Sequence, residues 1–250
     1  MKPRRIVVGI SGGVTSAWCG GWALRTYPRE EVIFLWHDTK AEHPDTYRVI
    51  RELSAALAHP ITERSDGRSP LELFADEGFL GNNQNAMCSR ILKREIGERF
   101  LEGLVAEGFE VEQVIGFSAS EPRRVAGAVG RAAAGGYVAR FPVIEHGISK
   151  QECADWCLSI GVAPSAMYCW AEHANCVGCV KGGRAYWLAV AEHEPAIFER
   201  YARAEEEYGH SIIRGGDREH VTLRELVARG LKRKVGQREK IEIGACGCGD

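Results

Sequence analysis

Nine cysteines are spread through 250 residues. Two of them, in Cys176-x-x-Cys179, stand at the spacing that places two thiolates on one metal, as in zinc sites and iron–sulfur clusters. The turn between them, Val177-Gly178, contains glycine and no proline, which suits that geometry. Cys169 lies close enough upstream to join, and His173 between them offers a nitrogen donor. A second chemistry-bearing stretch is Ser11-Gly12-Gly13-Val14-Thr15-Ser16. Glycines let backbone N–H groups approach a phosphate and take positive φ. A helix N-terminus behind the loop adds partial positive charge and donors. The hydroxyls of Ser11, Thr15 and Ser16 add further hydrogen bonds. The loop lacks the lysine of the common G-x-x-x-x-G-K-(S/T) phosphate loop and the third glycine of the dinucleotide fingerprint.

These residues need elements to hold them. Ile6-Val-Val-Gly-Ile10 reads as a buried strand, and Val14, Trp18 and Trp22 as the face of the helix after it. Val32–Trp36 is a second strand. Pro44 opens a helix whose face is Tyr47, Ile50, Leu53 and Leu57. A short strand is expected near Pro60–Glu63 and a helix from Ala86 to Glu107, closed by Gly108. Val111–Phe117 and Val138–Ile144 read as strands, with an Ala/Gly-rich helix, Val125–Gly136, between them. Ser149 with Glu152 is a capping box. Two more helical segments follow around Trp187 and Tyr201. Alternating strands and helices imply an α/β fold, a Rossmann-like parallel sheet of five strands with helices on both faces, plus a helical C-terminal segment.

Composition agrees with a globular chain. Apolar residues make up 45% and charged residues 26%, with 32 basic against 34 acidic side chains. No apolar run approaches the roughly 20 residues that span a bilayer. The start, MKPRRIVVGISGG, lacks the apolar core of a signal peptide, so a cytoplasmic protein is expected. Cysteines there are more often ligands, catalytic groups or core fillers than disulfides. The net charge of −2 gives no general pull toward nucleic acid. Residues 1–210 are expected to form the main domain and 211–250 a tail. Arg229, Lys232, Arg233, Lys234, Arg238 and Lys240 make that tail basic, either as a solvated surface or as a contact for nucleic-acid phosphates.

The glycine loop resembles the S-G-G-x-D-S pyrophosphate loop of the adenine nucleotide α-hydrolase (PP-loop ATP pyrophosphatase) superfamily. The whole chain resembles its PAPS reductase-like branch. His37-Asp38-Thr39-Lys40 through Pro44-Asp45-Thr46 is similar to the D-T-G-x-x-x-P-E-T block, and Cys88-Ser-Arg90-Ile-Leu92-Lys93 to the C-x-x-x-L-K block. Ile115-Gly116-Phe117 with Glu121, Arg123 and Arg124 is similar to the I-G-x-R…E…R block. Phe141-Pro142-Val143-Ile144 with the Ser149 helix, and Met167-Tyr168 through Cys176-Val-Gly-Cys179, are similar to the last two blocks. Their order spans roughly residues 5–205. Three departures stand out. Thr15 replaces the loop's usual Asp, Lys40 replaces a glycine, and the reductases' C-terminal E-C-G-(L/I)-H motif is absent. The chain ends instead in Cys246-Gly-Cys248-Gly-Asp250.

The resemblance implies binding of ATP with Mg²⁺ at Ser11, Gly12, Gly13, Thr15, Ser16, Asp38 and Gly116. Lys93, Arg123 and Arg124 are expected to contact phosphates, with Arg90 and Lys181 as further cations, since attack at the α-phosphorus needs positive charge. Asp38 is the family's adenosine-side position. It is expected to accept from a ribose or adenine donor, to hold magnesium, or simply to cap the next turn. Cys153, Trp156, Cys157 and Ile160 share one helix face, so Cys153 and Cys157 read as core fillers, as does Cys19. By comparison with relatives that carry 4Fe–4S clusters, Cys88, Cys169, Cys176 and Cys179 make a four-thiolate set. A Cys₄ zinc site from Cys176, Cys179, Cys246 and Cys248 stands beside it, as does a mobile thiol pair at Cys246 and Cys248. Softness favours both metals equally. The expected activity is adenylation of a substrate, followed by iron–sulfur-assisted sulfur insertion into a nucleic acid, with sulfur supplied by a donor protein. Oligomer formation is compatible with this. A PAPS/APS sulfonucleotide reductase and a non-catalytic nucleotide sensor or partner subunit are the alternatives.

Overall fold

Ile6-Val-Val-Gly-Ile10 carries apolar side chains on both faces, and such a strand is stable only when both are covered. In the computed structural model, which describes residues 2–214, 220–230 and 241–242, it lies at the centre of a five-stranded parallel sheet. The strands are β1 (Arg4–Ile10), β2 (Val32–His37), β3 (Ile61–Arg64), β4 (Glu110–Val114) and β5 (Val138–Arg140), in the order β3-β2-β1-β4-β5. Val8 pairs with Phe34 on one side and Val114 on the other. The strand order reverses between β1 and β4, so the carboxyl ends of these two flank the crevice where open α/β sheets take ligands.

Helices cover both faces. On one, Ile6, Val8 and Ile10 pack against Trp18, Cys19 and Trp22 of α1 (Val14–Thr26) and Cys153 and Cys157 of α8 (Lys150–Ser159). The three cysteines expected in the core are there, at 0 to 2% exposure. Gly21 makes the contact between these helices close, for a Cβ there would lie 2.2 Å from Trp156 Cζ2. On the other face, Val7, Leu35 and Val111 meet Leu101 of α5 (Glu95–Ala106) and Ala132 of α6 (Pro122–Gly135). The helix α2 (Pro44–Ala56) joins β2 to β3, with Pro44 in its first turn as expected.

A separate apolar cluster holds the helical unit. It joins Phe74 of α3 (Pro70–Glu77), Met87 of α4 (Met87–Ser89), Trp187 of α9 (Arg184–His193) and Tyr201 of α10 (Pro195–Tyr208). Ile212, Val221, Leu223 and Leu226 belong to the same cluster and are fully buried. Residues 211–214 and 220–228, placed in the tail on sequence grounds, include a β6 (Ile213–Arg214) and β7 (His220–Val221) pair and α11 (Leu223–Ala228), with Ile213, Val221, Leu223 and Leu226 packed on the helical unit. The buried Glu205 carboxylate fastens them, accepting from Ile212 N at 2.7 Å and Leu223 N at 2.6 Å. Arg229 is exposed. Lys232, Arg233, Lys234, Arg238, Lys240, Cys246 and Cys248 lie outside the described residues.

The structure also corrects element boundaries. The strand expected over Val138–Ile144 stops at Arg140, because Pro142 cannot donate to a ladder and instead opens the short α7 (Pro142–Glu145). The strand expected to Phe117 ends at Val114. The Ala86–Glu107 helix is interrupted by a π turn at Arg90–Arg94. The helix α3 went unanticipated although Ser69 and Glu72 form a capping box. Among the described residues no helix is long and apolar enough to cross a membrane.

Candidate functional site

The glycine loop leaves β1 and turns into α1 beside the end of β4. Gly12 has φ +73°, and a Cβ there would lie 2.6 Å from Thr46 Cγ2, so only glycine fits. The buried Ser16 hydroxyl donates to Gly13 O at 2.8 Å and accepts from Ser11 N at 3.1 Å. Ser16 therefore shapes the loop from within, whereas Ser11 is exposed and Thr15 half-buried in the first turn of α1. Gly116 meets this turn backbone to backbone, since a Cβ on it would lie 2.7 Å from Ser16 N and 2.8 Å from Thr15 C. Gly13 is the N-cap of α1 and has no capping side chain. The hydroxyl of Tyr168, from the turn Ala166–Cys169, accepts from Val14 N at 3.2 Å.

Asp38, at the end of β2, is 3% exposed. Its carboxylate accepts from Lys40 Nζ at 2.5 Å, Lys40 N at 2.8 Å and Tyr47 Oη at 2.9 Å. Burial pushes its pKa upward, but these donors outweigh it and hold the carboxyl below the usual range. Lys40 adopts φ +56°, the left-handed region that favours the glycine of the resembled block. The side chain in glycine's place covers Asp38.

The thiol loop docks on the segment after β2. Glu42 and Cys176 form an antiparallel bridge, and Val177 N donates to Ala41 O at 2.8 Å. Glu42 Oε1 gathers the Lys93 ammonium at 2.9 Å, the Thr39 hydroxyl at 3.1 Å and the Cys176 thiol at 3.4 Å. Its Oε2 is buried without a hydrogen-bond partner among the described residues. Lys93 sits in the π turn, a local widening often found at functional sites. Desolvation lowers the Lys93 pKa, yet Cys176 and Glu42 more than offset this and raise it. Tyr186 fixes the Cys176–Cys179 turn. Its hydroxyl accepts from Gly178 N at 3.0 Å and Cys179 N at 3.1 Å and donates to Cys176 O at 2.9 Å.

Cys88 and Cys176 both lie within electrostatic reach of Cys179. Burial pushes the Cys88 thiol up to about 11 and that of Cys176 up to about 12. Both are therefore protonated at neutral pH. Cys169, the fourth expected ligand, is disulfide-bonded and so offers no thiolate in this state. Among the described residues no three His, Cys, Asp or Glu side chains converge on a single ion.

The expected cations divide. Arg90 is exposed and paired with Glu95 at 2.7 Å. Arg123 is exposed on the first turn of α6. Arg124 pairs with Glu121 and lies over the Phe117 ring at 4.2 Å. Lys181 donates to Ser89 Oγ at 2.8 Å and lies within electrostatic reach of Cys88, Cys179 and Arg124. His173 is exposed, near Lys150 and Arg124. Sequence reasoning missed Lys150, Tyr186 and the gathering role of Glu42. A lysine in the first turn of a capped helix was the available signal, because a cation there opposes the helix dipole.

No protein-family model matches the chain, and no curated protein matches it. Among solved structures it is similar to phosphoadenylyl-sulfate (PAPS) reductase from Candida auris in its phosphate complex, at 21% identity and a TM-score of 0.34. The match covers 45% of this chain and 54% of that one, so the chain spans about half the length of that structure. The fold class, an α/β parallel sheet with helices on both faces, stands on the strand order itself.

Proposed function

We propose that this chain is an adenine-nucleotide enzyme of the PAPS reductase-like type, binding ATP with Mg²⁺ at Ser11–Ser16 and adenylating a substrate oxygen. The oxygen attacks the α-phosphorus, the bond to the bridging oxygen breaks, and pyrophosphate leaves. A nucleic acid is the proposed substrate class, met by the basic C-terminal stretch, and a sulfur-donor protein supplies the atom that then displaces AMP. The observation that carries this reading is the docking of the Cys176–Cys179 turn on the loop after β2 through Glu42 and Lys93. It brings soft ligands and a cation to the edge of the sheet that also carries the glycine loop.

The soft donors near this edge are Cys88, Cys176 and Cys179, of which Cys88 and Cys176 each lie within electrostatic reach of Cys179. Cys88, Cys176 and Cys179 would hold an iron–sulfur cluster, which would supply a soft iron position for sulfur. The chain's own residues do the rest. The glycine loop orients the phosphates, Lys93 neutralises charge beside the thiols, and Gly116 lets the loop after β4 close on the nucleotide.

The test uses full-length protein purified without oxygen. Calorimetry is expected to show binding of ATP and pyrophosphate, and analysis to find iron and sulfide in similar amounts. Binding of neither ATP nor pyrophosphate overturns the reading. A colourless protein with zinc alone overturns the cluster assignment.

A further inference from the structure

Glu42 Oε1 has three donors, but Oε2 of the same carboxylate has none among the described residues. The side chain is 2% exposed. A buried carboxylate oxygen without a donor is costly, and such a group in a folded protein calls for an explanation. Glu42 also lines a cavity of about 260 Å³. The apolar walls come from Pro44 at the start of α2, Pro70 and Leu71 of α3, and Ile197 of α10.

The cavity borders both chemistries of the chain. Val177 and Tyr201 line it as well. Val177 follows Cys176 directly, and Tyr201 packs so closely on the thiol turn that a Cβ on Gly178 would lie 2.2 Å from its Cε2. Tyr201 is within electrostatic reach of Cys176, Cys88 and Cys179. Pro44 stands two residues before Thr46, whose methyl carbon meets Gly12 of the glycine loop. An acceptor that is first adenylated and then given sulfur has to reach both places.

The charges around the cavity are engaged. Lys40 pairs with Asp38 at 2.5 Å, Glu194 faces His43 at 3.4 Å, and the exposed Arg200 acts on Glu72. The unmet demand is therefore for a hydrogen-bond donor against apolar walls, not for a counter-ion. A nucleobase with an amino group meets it. Its flat ring stacks between apolar side chains, and its exocyclic N–H donates to a carboxylate, as cytosine N4 does. The volume falls below the roughly 300–1,000 Å³ of pockets for drug-sized ligands. That suits one base or nucleoside rather than a stretch of chain.

We infer that this cavity receives a single amino-bearing base of the nucleic-acid substrate, turned out of its stack, with Glu42 accepting from its amino group. The inference rests on the substrate class proposed above and adds the pocket that selects the base.

The test is calorimetry of full-length protein with cytidine, guanosine and uridine, and separately with ATP. Cytidine or guanosine is expected to bind, and uridine at least tenfold more weakly, since its O4 has no proton to donate. Ile197→Trp puts an indole into the cavity. It is expected to weaken the bound nucleoside at least tenfold and ATP less than twofold. Unchanged nucleoside affinity in the folded variant overturns the inference, and so does uridine binding as tight as that of the other two. Equal losses for nucleoside and ATP also overturn it, because they mark a structural role. Wild-type protein that binds ATP but neither cytidine nor guanosine overturns the inference and leaves the nucleotide reading intact. Protein that binds a nucleoside in the cavity but neither ATP nor pyrophosphate overturns the nucleotide reading alone. Should Ile197→Trp fail to fold, Leu71→Trp takes its place. Hydrogen exchange of the wild type needs no variant: the nucleoside is expected to slow exchange severalfold at residues 69–71 and 197–201, and unchanged exchange there overturns the inference.

Discussion

Lys40 reaches back to Asp38, its Nζ 2.5 Å from Oδ2, from a backbone held at φ +56°. A lysine in the left-handed region costs about 1 kcal/mol or more, so the ion pair it makes is bound up with a strained turn. The pair also covers the Asp38 carboxylate, which is 3% exposed. In Lys40→Met the strain stays and the partner is lost. The expected destabilisation is about 1 kcal/mol at pH 7, kept small because Lys40 is half-exposed. The sign with pH follows from Asp38, whose folded pKa lies below its ordinary value. Its contribution is present above the ordinary value and is lost as pH falls through the folded one. Urea melts are therefore expected to separate variant from wild type at pH 7 and to bring them together in acid.

Gly116 is where the loops after β1 and β4 touch. Gly116→Ala would drive a methyl into Ser16 N and Thr15 C, which are backbone atoms that cannot swing away. A loss of about 1–3 kcal/mol is expected, together with loss of ATP binding in calorimetry. Gly103, on the exposed side of α5, has nothing within 4 Å of an added Cβ. Gly103→Ala is expected to gain about 0.5–1 kcal/mol from helix propensity and to leave binding alone.

His37 ends β2 with a buried Nε2 that has no partner among the described residues. Burial, and then the Lys93 charge, push its pKa down to about 4. A histidine held neutral in the fold but free to protonate when unfolded removes stability as pH falls. The loss begins near the unfolded value of about 6.5 and runs at up to roughly 1.4 kcal/mol per pH unit. It levels off below about 4. Urea melts from pH 7.5 to 4 are expected to show this slope in the wild type and a flatter profile in His37→Leu.

Tyr186 holds both ends of the turn that carries Cys176 and Cys179. Tyr186→Phe leaves two N–H groups and a carbonyl without that hydroxyl, at an expected cost of about 2–3 kcal/mol. Thiol-labelling kinetics report the local consequence, with Cys176 and Cys179 expected to react severalfold faster in the variant.

Much of the sheet was legible because parallel strands buried on both faces read as short apolar runs, and Ile6–Ile10 and Val32–Trp36 do so plainly. Cys153 and Cys157 were legible as core because they repeat with Trp156 at helical spacing. The π turn at Arg90–Arg94 was not legible, since its residues carry ordinary helix propensity and only the backbone hydrogen bonds distinguish it. Nor was the end of β5. There the apolar run continues through Val143 and Ile144, but Pro142 decides the geometry. Lys150 escaped notice because the carbonyl it meets is on Glu172, 22 residues on, and Tyr186 because its partners, 7 to 10 residues back, fall outside helical or strand spacing. Residues 211–228 looked charged enough to be a tail, yet Ile212, Leu223 and Leu226 bury themselves between charged neighbours.

The contact between Thr39 and Cys176 joins residues 137 positions apart. All five strands of the sheet have been synthesised once Arg140 leaves the ribosome, whereas the thiol turn and its tyrosine follow later. Domains fold as units during synthesis, N-terminal parts first. A nascent chain can therefore complete its sheet and its glycine loop while the Glu42 carboxylate still waits for Cys176. Premature termination between residues 141 and 175 would release a fragment that has the glycine loop and lacks Cys176 and Cys179, with the apolar surface around Phe74 and Leu92 uncovered and open to aggregation.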